Sequence, residues 1–295
     1  MHRLVTILAV SLAALCLGSG AACAQSGADL SLSPKRIVFG AADRAATLYI
    51  FNRGTEAATY GLALADQVMT ADGRIRPAAE LSGVPEAADA LARLKSAEAL
   101  ISFSPRRVTL QPGQSQTVRL RVLRPAELPA GEYRTHLSIS AVPPEDLGLT
   151  AERAAKPDQG ELSVKVVTLF SLAIPVVVRQ GPAQVAAAIE KVELQWREAP
   201  DGDPSKRAAI LAMDMVRSGE SSLYGDIEVH TLKGGKAGDV VGGLRGLGVY
   251  AEIDRRRVMV PLTASLKSGD SVQVIFKDDD TRPGTTLATA NYTIP

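Results

Sequence analysis

An all-β protein made of two β-sandwich domains in tandem is the fold class the sequence predicts, on three observations. Apolar residues alternate with polar ones at period two through most of the chain. The alternating runs are short and are bounded by turn-forming Gly, Pro, Asn and Asp clusters. A Gly-Pro break, Arg179-Gln180-Gly181-Pro182, divides the 295 residues into two parts of ordinary domain size.

The elements follow in order. Ile37–Phe39 and Thr47–Phe51 read as strands, the second ending in the turn Asn52-Arg53-Gly54. Thr59–Leu64 is a further strand, and Asp72-Gly73 within Gln67–Arg76 is a two-residue hairpin signal. Pro85–Ile101 is the exception: Leu91, Leu94 and Leu100 among Ala, Glu, Arg and Lys predict a short helix in a connection. Strands return at Arg107–Leu110 and Gln116–Leu123, where Val118, Leu120 and Val122 alternate with Thr117, Arg119 and Arg121. Tyr133–Val142 alternates again, with Leu137 and Ile139 on one side and His136 and Ser138 on the other. Pro143–Gly160 is polar and predicts a long exposed loop.

Leu162–Val178 is the most informative stretch. Its even positions are Leu162, Val164, Val166, Thr168, Phe170, Leu172, Ile174, Val176 and Val178, all apolar but one. One long strand with an apolar face is predicted, about 55 Å from end to end at ~3.3 Å per residue, longer than a sandwich core needs. The portion from Leu172 onward is assigned to the protein's own core. Pro175, with no N–H, suits an edge strand. Beyond the break, seven short strands separated by Asp201-Gly202, Ser218-Gly219, Gly234-Gly235, Gly242-Gly243, Ser268-Gly269-Asp270 and Pro283-Gly284 predict the second sandwich.

Composition excludes several functions. The formal charge is +1, from 33 basic and 32 acidic residues. No basic excess is available for a polyphosphate, so no nucleic-acid partner is expected. Three histidines and two cysteines are too few for most metal centres, and neither metal nor cofactor is expected. His136 and His230 fall on different domains and no G-x-S-x-G turn occurs, so no catalytic residue and no enzyme activity are expected. Asp278-Asp279-Asp280 lacks the spacing of a calcium loop and reads as a solvated turn. Gly242–Gly248 reads as a flexible hairpin, Arg255-Arg256-Arg257 as a solvated turn or a partner patch, and Trp196 as a packing or rim residue. Tyr133 suits either a tyrosine corner or plain core packing.

The chain opens with a targeting pattern. Met1-His2-Arg3 is basic, Leu4–Leu17 is apolar and too short to span a bilayer, and Ala22-Cys23-Ala24 is a small-residue cleavage pattern. Cleavage after Ala24 makes residues 1–24 a signal peptide. Both cysteines leave with it, and so does Arg3, which equalises the charges at 32 each. The competing reading, acylation at Cys23, lacks the bulky apolar residue expected upstream in Gly20-Ala21-Ala22. A soluble periplasmic protein with no integral membrane segment in the mature chain is expected.

The order of motifs in the first half resembles the PapD-like periplasmic chaperones that assemble pili by the chaperone–usher route. The motifs are Ser33–Phe39, with Arg36 before the apolar run; Leu48–Gly54; Ser102–Arg107 followed by Leu110-Gln111-Pro112-Gly113-Gln114; and Gly131–Pro144. The resemblance covers about residues 30–180 and implies two immunoglobulin-like domains, here 28–179 and 184–295. It implies a chaperone that stabilises pilus or fimbrial subunits by donor-strand complementation and delivers them to an outer-membrane usher. Leu162, Val164, Val166, Thr168 and Phe170 are then the subunit-binding donor strand, and Arg36 the anchor for the subunit's C-terminal carboxylate. Four buried apolar side chains contribute roughly 6–12 kcal/mol gross, against about 4–15 kcal/mol for association, so the backbone ladder must add to them. The family's paired lysine falls on Pro175, which leaves Lys35 or Arg179 as possible helpers. The rival reading is a structural or adhesion component of a surface appendage built from the same domains.

Overall fold

The computed structural model describes residues 29–143, 170–198, 207–264 and 266–295. Its first sandwich comprises β1 (Leu30–Ser33), β2 (Ile37–Phe39), β3 (Ala45–Asn52) and β4 (Ala58–Ala65). A hairpin, β5 (Gln67–Met69) and β6 (Ile75–Pro77), and two short helices, α1 (Ala78–Leu81) and α2 (Ala88–Arg93), interrupt it. It resumes with β7 (Ile101–Ser104), β8 (Arg107–Leu110), β9 (Ser115–Val122), β10 (Gly131–Ala141) and β11 (Ser171–Gln180). The sheets run β1-β3-β9-β7 and β2-β11-β10-β4-β8. Leu48, Ile50, Val118, Leu120, Leu137, Ile139, Val176 and Val178 fill the space between them, as the period-two pattern predicts.

The second sandwich holds β12 (Ala186–Glu198), β13 (Arg207–Ser218), β14 (Leu223–Lys233), β15 (Lys236–Val249), β16 (Arg255–Pro261), β17 (Ser271–Asp278) and β18 (Thr286–Thr293). Its sheets run β12-β13-β16 and β15-β14-β17-β18. Two turns are where the glycines predict them: Gly73 (φ +82°) in the β5–β6 loop, and Gly234-Gly235 (φ +57° and +79°) between β14 and β15.

Three expectations are corrected. Gly242–Gly248 lies inside β15 rather than in a hairpin. A Cβ on Gly242 would stand 2.8 Å from the Pro261 carbonyl, and one on Gly243 3.0 Å from that of Ile227, so glycine here serves close backbone approach. Arg255-Arg256-Arg257 opens β16 rather than forming a solvated turn: Arg255 and Arg257 both bond Asp214, at 3.1 and 3.2 Å. Asp278-Asp279-Asp280 is not solvated as a run, because Asp278 is buried and the Asp280 side chain is 8% exposed.

The β5–α2 excursion belongs energetically to the other domain. Val68, Met69, Leu81, Ala87 and Ala90 lie in one buried cluster with Leu211, Met213, Val229, Val274 and Phe276 of the second sandwich. Polar contacts pin this strap in place: the Met69 N–H donates to Glu252 Oε1 at 2.9 Å and the Arg257 N–H to the Ala71 carbonyl at 2.9 Å. Arg93 makes a two-nitrogen contact with Asp254 at 2.8 and 2.6 Å.

Candidate functional site

The long apolar strand predicted near mid-chain is described from Phe170 onward; Leu162, Val164, Val166 and Thr168 lie outside the described residues. The Ala141 N–H donates to the Phe170 carbonyl at 3.0 Å, which fixes the phase of the β10–β11 ladder. Antiparallel pairs alternate, so even-numbered residues of β11 direct their backbone groups at β10. Ser171, Ala173, Pro175 and Val177 direct theirs to the other side. There β2 pairs in parallel with Val176, Val177 and Val178 only. Among the described residues, the outer edge from Ser171 to Pro175 has no strand beside it. Pro175 lies on that outer side, where its missing N–H removes no bond to β10.

Side chains at this end are exposed as well. Phe170 is 47% and Leu172 41% exposed, whereas Ile174, Val176 and Val178 are buried. The core thus begins at Ile174, one pair later than the sequence suggests. Ile139, opposite Leu172, is nevertheless buried. An apolar strip beside open backbone hydrogen-bonding groups is the arrangement that accepts an added strand.

At the closed end of this edge stands Arg36. In the β2–β11 register Ile37 pairs with Val176, so Arg36 leaves the ladder at the level of Pro175. Its guanidinium lies 4.4 Å from the centre of the Tyr224 ring and donates to Asp280 Oδ2 at 2.9 Å. Arg179 donates through Nη1 to Asp280 Oδ1 at 3.1 Å, through Nη2 to Asp280 Oδ2, and through Nε to Glu132 Oε2 at 3.0 Å. Glu132 also accepts from the backbone and hydroxyl of Ser222. Of the two residues named as helpers to Arg36, Arg179 is the one beside it; Lys35 is exposed. Burial pushes the Asp280 carboxyl up, but the hydrogen bonds and charges of Arg179 and Arg36 outweigh this and hold it below the usual carboxylate range.

A second polar knot lies behind β10. Arg134 pairs with Glu252, donates to the Gln67 carbonyl at 2.8 Å and stacks 4.0 Å from the Tyr250 ring centre. His136, beside it, is 1% exposed, and burial together with the Arg134 charge pushes its pKa down to about 3. It is a neutral interior ring, and its partner is an arginine rather than a serine. His230 instead contacts Glu228 and the Gly238 carbonyl in the second sandwich. Tyr133 donates to the Pro129 carbonyl at 3.0 Å, four residues upstream, the tyrosine-corner geometry. Trp196 is a rim residue, 52% exposed. No cluster of metal-ligating side chains occurs among the described residues.

Sequence reasoning missed Asp280, Glu132 and Tyr224. Glu132, Arg134 and His136 alternate with core residues as solvated side chains do, and no local signal separates the two cases.

No family model and no curated protein matches the chain. It is similar to solved chaperones. These include the E. coli chaperone DraB (16% identity, TM-score 0.42, covering 91% of this chain and 97% of that one). They also include the Salmonella enterica SafB chaperone in complex with the SafA pilin (14% identity, TM-score 0.42, 92% and 99%). The Pseudomonas aeruginosa CupB2 chaperone is a third (16% identity, TM-score 0.39, 90% and 100%).

Proposed function

We propose that the chain is a periplasmic chaperone that lends a strand to an incomplete pilus or fimbrial subunit and passes it to an outer-membrane usher. The observation that carries this reading is the outer edge of β11 from Ser171 to Pro175, bare among the described residues and flanked by exposed Phe170 and Leu172. A guest strand laid on that edge gains backbone bonds from Ser171 and Ala173 and apolar contact with Phe170 and Leu172. Leu162, Val164, Val166 and Thr168 extend the same face in sequence.

Arg36 gives the edge a direction. A guest running parallel to β11 brings its C-terminal carboxylate to the arginine, whereas one running antiparallel brings an ammonium group. The guest is therefore parallel, with Arg36 as its anchor. The reading involves no chemical step and no cofactor.

Ala173→Pro tests it. The lost N–H points away from β10, so the variant folds, yet it cannot donate to a guest. Co-purification of a co-secreted pilus subunit is expected to disappear. Undiminished co-purification from a folded variant would overturn strand lending along this edge.

A further inference from the structure

Two arginines at the end of the open edge already hold a carboxylate, and it belongs to the chain itself. Arg36 and Arg179 converge on Asp280, and Arg179 also holds Glu132. Two positive and two negative charges stand together, so the cleft offers a second anion no net attraction. Arg36 is also enclosed, its side chain only 10% exposed. One nitrogen meets Asp280, its face lies on Tyr224, and its Nε is buried with no partner. Asp280 is delivered by a tight loop whose centre is the Asp278 carboxylate, which accepts from the backbone of Asp280 at 3.0 Å, Thr281 at 3.3 Å and Arg282 at 2.6 Å.

We infer that Asp280 is an internal occupant of the Arg36 anchor, which a guest carboxylate must displace before Arg36 grips it. This rests on the strand-lending reading for the identity of the guest, though not for the occupancy itself. An intramolecular ligand on a short tether competes at an effective concentration on the order of millimolar or above. A guest present at micromolar concentration therefore does not open the anchor through its carboxylate alone. Docking along the β11 edge has to come first and raise the local concentration of the guest's end. Capture is thus ordered: strand first, carboxylate second. An isolated carboxylate is ignored.

The test uses the whole protein labelled with 15N, with the Arg36 Nε–Hε resonance as the probe and sodium acetate, matched against sodium chloride, as the ligand. In the wild type this resonance is expected to stay in place through millimolar acetate. In Asp280→Asn, which keeps Arg179 on Glu132, it is expected to shift saturably, with apparent affinity at least about tenfold higher, the effect of one charge-assisted bond. A wild-type resonance that shifts as readily as the variant's would overturn the inference, and so would a variant that does not respond. Asp280→Ser repeats the measurement should the asparagine variant fail to fold. Strand lending is read separately, by co-purification of a pilus subunit with the wild type. Its loss alongside the expected acetate result would remove the function and leave Asp280's occupancy standing.

Discussion

Leu81→Ala tests whether the strap is part of the second domain's core. Leu81 closes α1, is 1% exposed, and shares its buried cluster with Leu211, Met213 and Phe276 of the second sandwich. Truncation loses the transfer energy of the side chain and leaves a void that two hydrogen-bonded sheets cannot collapse to fill, so about 2–5 kcal/mol is the expected cost. The single tryptophan of the chain, Trp196, sits on β12 and reports on the second sandwich. With a urea slope of about 2–2.5 kcal/mol per molar, the fluorescence midpoint should fall by roughly 0.8–2.5 M. A midpoint that does not move, although the residue changed lies in the first half of the chain, would show that the strap merely rests on the second sandwich.

Other outcomes follow from the same contacts. Glu252→Ala strands Arg134 as a buried unpaired cation and should cost about 3–5 kcal/mol in chemical denaturation, whereas Glu190→Ala, at the exposed pair with Arg255, should leave the midpoint nearly unchanged; equal losses would refute the distinction. His136 is pushed down to about 3 from an ordinary 6.5, so its contribution is complete above pH 6.5 and falls as the pH drops towards 3. About 2 kcal/mol should be lost between pH 7 and pH 5, above the range in which the lowered carboxyls of Asp214 and Asp280 titrate. His136→Gln should remove most of that slope in urea titrations at the two pH values; an unchanged slope would place its origin elsewhere.

What was legible in the sequence was local. Val118, Leu120 and Val122 announce β9 because a strand with one buried face has no other way to write itself, and Asp72-Gly73 and Gly234-Gly235 announce turns through their backbone freedom. The features that escaped depend on distant partners. Asp280 lies 244 residues from Arg36 and 101 from Arg179, so nothing near it marks it as buried. Arg255 and Arg257 read as a charged turn because Glu190, Glu193 and Asp214 are on other strands. Gly242 was misread because a close backbone crossing and a turn demand the same residue. Of the leucines read as one apolar stripe, Leu91 and Leu94 pack against the second sandwich's cluster and Leu100 lies in the first's, because a stripe does not say which domain it covers.

The strap also bears on how the chain comes into being. Residues 68–90 are synthesised early, yet the sheets they pack against are complete only once Thr286–Thr293 has appeared. Until then the first half presents a greasy knuckle to its surroundings, and the second half, expressed alone, would lack a lid. A shuffling event at the Gly-Pro break would carry off the second sandwich without Val68, Met69, Leu81, Ala87 and Ala90 of its own core, whereas the buried core of the first sandwich lies wholly on its own side of the break.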